Sequence, residues 1–239
     1  MKNRIKTGIQ GIDAMLDGGI PGSSQVVLAG GPGTGKTLLS FEYLYRGAKL
    51  GEPGIFFSFN EDAESLTAAV KDTMPGFTDI DELIMEKKLM VFGYEETKTF
   101  MQKGSESTNY AFTGMISQLQ SHIEDYHATR IVIDSLSYIK SYTRDPFEYR
   151  NLSTSLLVIL SRQHVTSLIT TETGHSTDPL SQEFFIYDGI ITLGSARGSG
   201  NRVLAVRKMR GANHMHGIAQ YKITPNGIKV TPPQETVAH

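Results

Sequence analysis

Short apolar runs alternate with amphipathic stretches along most of the chain. Gln25–Gly30 (QVVLAG), residues 55–59 (IFFSF), Leu89–Phe92, Arg130–Asp134 (RIVID) and residues 167–171 (SLITT) are largely apolar without strict alternation. That is the pattern of strands covered on both faces. Helical stretches fall between them, at 37–50, 62–74, 111–126 and 147–163. In the last, Leu152, Leu156, Leu157, Ile159 and Leu160 make a broad apolar stripe. Strands alternating with helices predict βαβ units and a parallel sheet. Near residue 190 the pattern changes. Residues 190–193, 203–207, 219–223 and 228–231 read as short strands between Gly-rich turns such as Pro225-Asn226-Gly227, which predicts a C-terminal antiparallel extension. No linker interrupts residues 1–232, so one α/β domain is expected, with 233–239 as a flexible tail.

One segment between a strand and a helix carries specific chemistry. Gly30-Gly31-Pro32-Gly33-Thr34-Gly35-Lys36-Thr37 follows QVVLA and opens a helical stretch through Leu38. It satisfies the P-loop (Walker A) pattern in the context that the pattern requires. Glycines let consecutive N–H groups turn inward toward phosphates, and the helix N-terminus adds its dipole. Gly31, Pro32, Gly33, Thr34, Gly35, Lys36, Thr37 and Leu38 are therefore the expected nucleotide-binding residues. Lys36 would reach the β- and γ-phosphates, and Thr37 would offer its hydroxyl to Mg²⁺. A second metal-side carboxylate is expected where a neighbouring strand emerges, and Asp134 ends RIVID. The alternative for Asp134 is a turn or helix cap.

Composition narrows the chemistry further. The 239 residues include no Cys and no Trp, and 39% are hydrophobic. This excludes disulfide scaffolds, thiolate metal sites and thiol nucleophiles. No run approaches the roughly 18 apolar residues of a membrane span, and MKNRIKTGIQ has no apolar core of a secretory signal. A cytoplasmic protein without membrane contact is the expectation. The net charge of −2 hides an asymmetry: residues 1–188 sum to −8, whereas residues 189–234 hold seven bases and no acid. So basic a segment implies an anionic partner. His214 and His216 form H-x-H, but without Cys or a nearby carboxylate they make a poor metal set.

Motifs flanking the P-loop carry a family resemblance. Thr7-Gly8-Ile9-Gln10-Gly11-Ile12-Asp13-Ala14-Met15-Leu16-Asp17-Gly18-Gly19-Ile20-Pro21 resembles the opening motif of KaiC-like ATPases, a branch of the RecA/DnaB superfamily. Lys208-Met209-Arg210-Gly211-Ala212-Asn213-His214, followed by Ile223-Thr224-Pro225-Asn226-Gly227-Ile228, is similar to that family's closing motifs. The resemblance spans about Thr7 to Val230. It implies a RecA-like P-loop NTPase core that assembles as a homo-oligomer, a hexameric ring with ATP between subunits. It also implies that Lys208 and Arg210 reach the nucleotide of the next subunit, Arg210 as a catalytic finger, with His214 nearby. Adenine as the base follows from the resemblance alone. In an edge strand, Lys208 and Arg210 could also be solvated side chains, although their i, i+2 spacing puts them on one face.

Two departures from the family pattern matter. Members of the family that the chain resembles usually follow the second strand with two glutamates, the first activating the attacking water. Here the order is Phe59-Asn60-Glu61-Asp62. An amide can orient water but cannot take its proton. Glu61 is the remaining candidate base, yet strand alternation would point it away from Asn60. Asn60 could instead cap the helix expected at 62–74. The adjacent Ser-Thr pair that accepts phosphate in a two-domain member of that family is also missing here, leaving Ser181 and Tyr187 as possible acceptors.

Thr170-Thr171-Glu172 falls beside the expected γ-phosphate site, where it could sense phosphate or be a plain polar strand end. Residues 174–179, where related rings place a channel loop, hold His175 but no Lys or Arg, which disfavours nucleic acid as the partner. The sequence thus predicts an ATPase using ATP and Mg²⁺, with Lys36, Glu61 and Arg210 catalytic, whose nucleotide state regulates a protein partner. With Asn60 in the first position, either Glu61 serves as the base or ATP is bound firmly and hydrolysed slowly. The alternatives are a non-hydrolysing ATP-gated assembly module, similar to accessory proteins of archaeal motility, and a DNA-binding recombination paralogue.

Overall fold

The computed structural model describes residues 3–97, 108–143, 145–173, 182–196 and 200–233. His175 and its loop, Ser181, Arg197 and residues 234–239 lie outside them.

A nine-stranded sheet dominates the described residues. In chain order its strands are β3 (Gln25–Gly30), β4 (Gly54–Ser58), β5 (Leu89–Phe92), β6 (Arg130–Asp134), β7 (Thr166–Glu172), β8 (Gly189–Ser195), β9 (Arg202–Met209), β10 (Ala219–Thr224) and β11 (Gly227–Thr231). Across the sheet they run β11-β10-β9-β8-β3-β7-β6-β4-β5. Strands β5 to β8 in this order, with β3 at the centre, are parallel. The last three strands extend the sheet antiparallel. A small pair, β1 (Arg4–Ile5) and β2 (Ile20–Pro21), stands apart. Two residues per strand is too short for any hydrophobic period to register.

The continuous apolar runs are explained by burial on both sides. Val26 and Leu28 pack in one cluster, while Val27 and Ala29 pack in another. The same division separates Phe56 from Ile55 and Phe57, and Val132 from Ile131 and Ile133. On the first face lie α1 (Ile12–Met15), α2 (Lys36–Lys49), α3 (Ala63–Thr73) and α4 (Ile80–Met85). The second face is covered by α5 (Thr108–Asp125) and α7 (Pro146–Arg162); the short α6 (Leu136–Tyr142) follows β6. Burying alternate residues on opposite faces removes β3, β4 and β6 from water along their whole length.

The expected helix at 62–74 begins one residue later. Asp62, not Asn60, is its N-cap, accepting a bond from the Ser65 N–H at 2.9 Å. A carboxylate satisfies the free helix donors and suits the helix dipole. Short α1, α4 and α6 were not legible from periodicity, since none exceeds 7 residues. None of the described helices is long and apolar enough to cross a membrane.

Register brings the functional candidates together. Gly30 pairs with Glu172, and Ser58 with Asp134. Four parallel strands therefore end at one carboxyl edge, where open α/β sheets bind ligands.

Candidate functional site

The P-loop leaves β3 and turns back into α2 through glycines with left-handed backbones, Gly33 at φ 72° and Gly35 at φ 84°. A side chain at either would be strained. Gly30 is confined in a different way: a Cβ there would stand 2.7 Å from the Leu193 carbonyl oxygen and 2.9 Å from Thr34 Oγ1. The Thr34 hydroxyl donates to the Gly31 carbonyl at 2.8 Å. Lys36 Nζ donates to the Gly30 and Gly31 carbonyls, each at 3.0 Å. Burial lowers the Lys36 pKa, opposed by the charges of Glu172 and then Asp134. The loop also rests on the extension: Tyr221 of β10 donates its hydroxyl to the Thr34 carbonyl. Burial pushes that phenol up to about 12, so it stays a donor.

A cleft of about 660 Å³ opens above the loop. Lys36, Thr37, Leu38, Asn60, Glu61 and Asp134 line it, with Ser135, Ser137, Tyr138 and Glu172 beyond them. Asp134 is held on both oxygens. Thr37 Oγ1 donates to Oδ2 at 2.7 Å, and Thr170 Oγ1 donates to Oδ1. A hydroxyl and a carboxylate in contact, beside a phosphate-binding loop, fit Mg²⁺, which usually takes one or two protein ligands and fills its shell with phosphate and water.

Glu61 shares the cleft with Asn60, contrary to the expected alternation. Strand β4 stops at Ser58, so the rule of opposite faces no longer applies at residues 60 and 61. Burial raises the Glu61 pKa, with repulsion from Asp134 and then Asp62 adding to it. Asn60 Nδ2 reaches toward Ser135 Oγ at 3.5 Å.

Lys208, Arg210 and His214 do not line this cleft. Lys208 Nζ donates to the Tyr187 carbonyl at 2.5 Å and to Phe185 at 3.1 Å, while Arg210 Nη2 reaches the same Phe185 carbonyl at 3.3 Å. The two cations thus converge on one acceptor. Burial lowers the Lys208 pKa, and Arg210 adds to the shift while Asp188 opposes it. His214 Nδ1 lies 3.3 Å from the Met215 carbonyl. Tyr187 is buried, with 2% of its surface exposed, so it is not presented for phosphoryl transfer. Thr170 as a support for Asp134, and Tyr221 as a prop for the loop, had no sequence signal of those roles. Both depend on neighbours distant in the chain.

A P-loop at the carboxyl edge of a parallel sheet, continued by antiparallel strands, defines a RecA-type P-loop fold. Sequence comparison narrows this: the model of the KaiC ATPase family matches residues 5–235, and the chain belongs to that family. A UPF0273 protein of Pyrococcus horikoshii is 33% identical, over 97% of this chain and 95% of its own length. The circadian clock oscillator protein KaiC of a Picosynechococcus strain is 29% identical over 96% of this chain, which spans 44% of that longer protein. Among solved structures, the KaiC-like protein of Pyrococcus horikoshii superposes with a TM-score of 0.80 at 30% identity, covering 97% of this chain and 100% of that one.

Proposed function

We propose that the chain is a Mg²⁺-dependent ATPase whose nucleotide state regulates a protein partner. The observation that carries this reading is the cleft itself, which gathers Lys36, Thr37, Glu61 and Asp134 at one sheet edge. The P-loop amides and Lys36 bind the phosphate chain, and Thr37 with Asp134 hold the metal. Bound there, Mg²⁺ supplies charge neutralisation on the phosphate oxygens. Glu61 takes the proton of the attacking water as the water's oxygen bonds to the γ-phosphorus and the bond to the β,γ-bridging oxygen breaks, so that ADP leaves and inorganic phosphate forms. Its raised pKa brings it nearer to the working pH of a general base. Asn60 orients that water through its amide.

Lys208 and Arg210 act in trans within a homo-oligomer, a hexameric ring, with His214 near the neighbour's nucleotide. Their convergence on the Phe185 carbonyl supports joint action on one acceptor. A cytoplasmic location accords with this reading. Asn60 in the first position favours a second reading, a slow or non-hydrolysing ATP-gated assembly module.

Steady-state ATPase measurements on the wild type, Glu61→Gln and Asn60→Glu separate the two. Hydrolysis through Glu61 requires that Glu61→Gln lose about 10²–10⁴ in turnover. Background turnover in the wild type, unchanged in Glu61→Gln, would leave only the assembly module.

A further inference from the structure

We infer that Ser58 is a positioning residue for Glu61, holding its backbone so that the carboxylate stays aimed into the cleft. The assignment rests on the reading of Glu61 as the base. Ser58 is the last residue of β4, is 1% exposed, and sits in register with Asp134. Its Oγ accepts the Glu61 N–H at 3.0 Å. Beyond the strand this N–H has no ladder partner, so the hydroxyl replaces one. The Glu61 carbonyl is fixed as well, accepting the Tyr94 N–H at 2.8 Å. Ser58 is itself anchored, since its carbonyl accepts from Thr97 Oγ1 at 2.8 Å. Gly93 permits this closeness: a Cβ there would stand 2.2 Å from the Ala63 nitrogen. One residue on, Asp62 is committed to its helix cap.

Such a clamp answers a specific difficulty. Burial and the negative charges of Asp134 and Asp62 all disfavour an ionised Glu61 in the cleft. A carboxylate on a free turn would swing toward water, where its charge is solvated. With both backbone groups of Glu61 bonded, a shift of the turn that would carry the carboxylate out needs two hydrogen bonds broken. Asn60 occupies the family's usual base position, so precise aim of Glu61 decides whether water is activated at all.

The test compares ATPase kinetics and ATP affinity for Ser58→Ala and Ser58→Thr, each alone and combined with Glu61→Gln. Ser58→Ala is expected to lower kcat about 10- to 100-fold while ATP Kd changes by less than about twofold. Its acid limb should move toward the ordinary carboxylate range as Glu61 gains water. Ser58→Thr keeps the hydroxyl and is expected to retain most of the turnover. In the Glu61→Gln background, Ser58→Ala should cost nothing more. If alanine does not fold, Ser58→Cys, similar in size with a weak sulfur acceptor, carries the same comparison. Wild-type kcat in Ser58→Ala beside an inactive Glu61→Gln, or an equal further loss in the double variant, overturns the role of Ser58 alone. Full turnover in Glu61→Gln removes the base reading and this assignment together.

Discussion

The hydroxyl of Tyr221 donates to the carbonyl of Thr34, so the antiparallel extension bears directly on the nucleotide loop. A second tie lies alongside: buried Glu42 of α2 accepts the Ile228 N–H of β11 at 2.6 Å and pairs with Arg46. Loop and helix are therefore propped by the same hairpin that follows the basic strand β9. Whatever shifts β10 shifts the phosphate cradle. Tyr221→Phe keeps the ring and removes only this donor. We expect a loss of about 1 kcal/mol in chemical denaturation and an ATP affinity lowered several-fold. Titration with a fluorescent ATP analogue at fixed Mg²⁺ measures the second effect; unchanged affinity would show that the loop holds its shape unaided.

On the proposed reading, the pH profile follows from Glu61. A base must be ionised to act, and burial with neighbouring acids raises this pKa. Turnover should therefore fall on the acid side, through a midpoint above that of an ordinary glutamate. In Asn60→Glu, a second carboxylate restores the family's pair, and turnover should rise by about tenfold or more if a base was limiting. Stopped-assay rates across the acid range check both statements.

How much of this was legible beforehand differs by residue. Local signals sufficed for the P-loop, because Gly33, Gly35, Lys36 and Thr37 act through adjacent backbone and one helix start. Asp134 was legible because a run of β-branched residues announces a buried strand and its end. For Glu61 the alternation rule points away from the cleft that the residue lines, because the strand ends at Ser58 and the rule does not extend past it. The roles of Ser58, Thr170 and Tyr221 had no local mark. Each acts by one hydroxyl on a partner set by tertiary packing, and a lone Ser, Thr or Tyr looks alike whether it supports a site or not.

Arg130 shows the same limit at the opposite edge of the sheet. It begins β6 and is 0% exposed. Its guanidinium donates to Glu52 at 2.7 Å, to the Tyr43 carbonyl at 2.8 Å and to the Lys6 carbonyl at 2.7 Å, and lies 4.6 Å from the Tyr43 ring centroid. Gly47 leaves the room, since a Cβ there would meet Arg130 Nε at 2.3 Å. Arg130→Met strands these acceptors, and a loss of about 3 kcal/mol in urea unfolding is expected. ATP affinity of the folded fraction should not change, because the nucleotide edge lies at the other end of the strand.

Joint action of two subunits makes a separate prediction. On the proposed reading, Lys36→Ala removes the phosphate-binding cation from one subunit's own cleft, and Arg210→Ala removes the group supplied to its neighbour. Each homogeneous variant should be inactive. In a mixture, some interfaces pair an intact Lys36 cleft with an intact Arg210, so activity should return to a fraction set by the mixing ratio. Recovery absent at every ratio, with mixed oligomers shown to form, would confine Arg210 to its own chain.

Thr170 offers the sharpest test of the metal site. Its hydroxyl donates to Asp134 Oδ1 while Thr37 takes Oδ2, so the carboxylate is oriented from both sides. Thr170 is 0% exposed, and valine nearly matches its shape. Thr170→Val therefore removes one hydrogen bond and leaves the fold packed. Outer partners of metal ligands typically contribute about 10- to 100-fold in metal affinity. The Mg²⁺ concentration giving half-maximal nucleotide binding should rise by a factor in that range. Binding at saturating Mg²⁺ should approach that of the wild type, because the P-loop is untouched. An unaltered Mg²⁺ dependence would mean that Thr37 alone orients Asp134. A loss that no Mg²⁺ concentration repairs would place Thr170 in contact with the phosphate itself, the sensing role that its position beside Glu172 also allows.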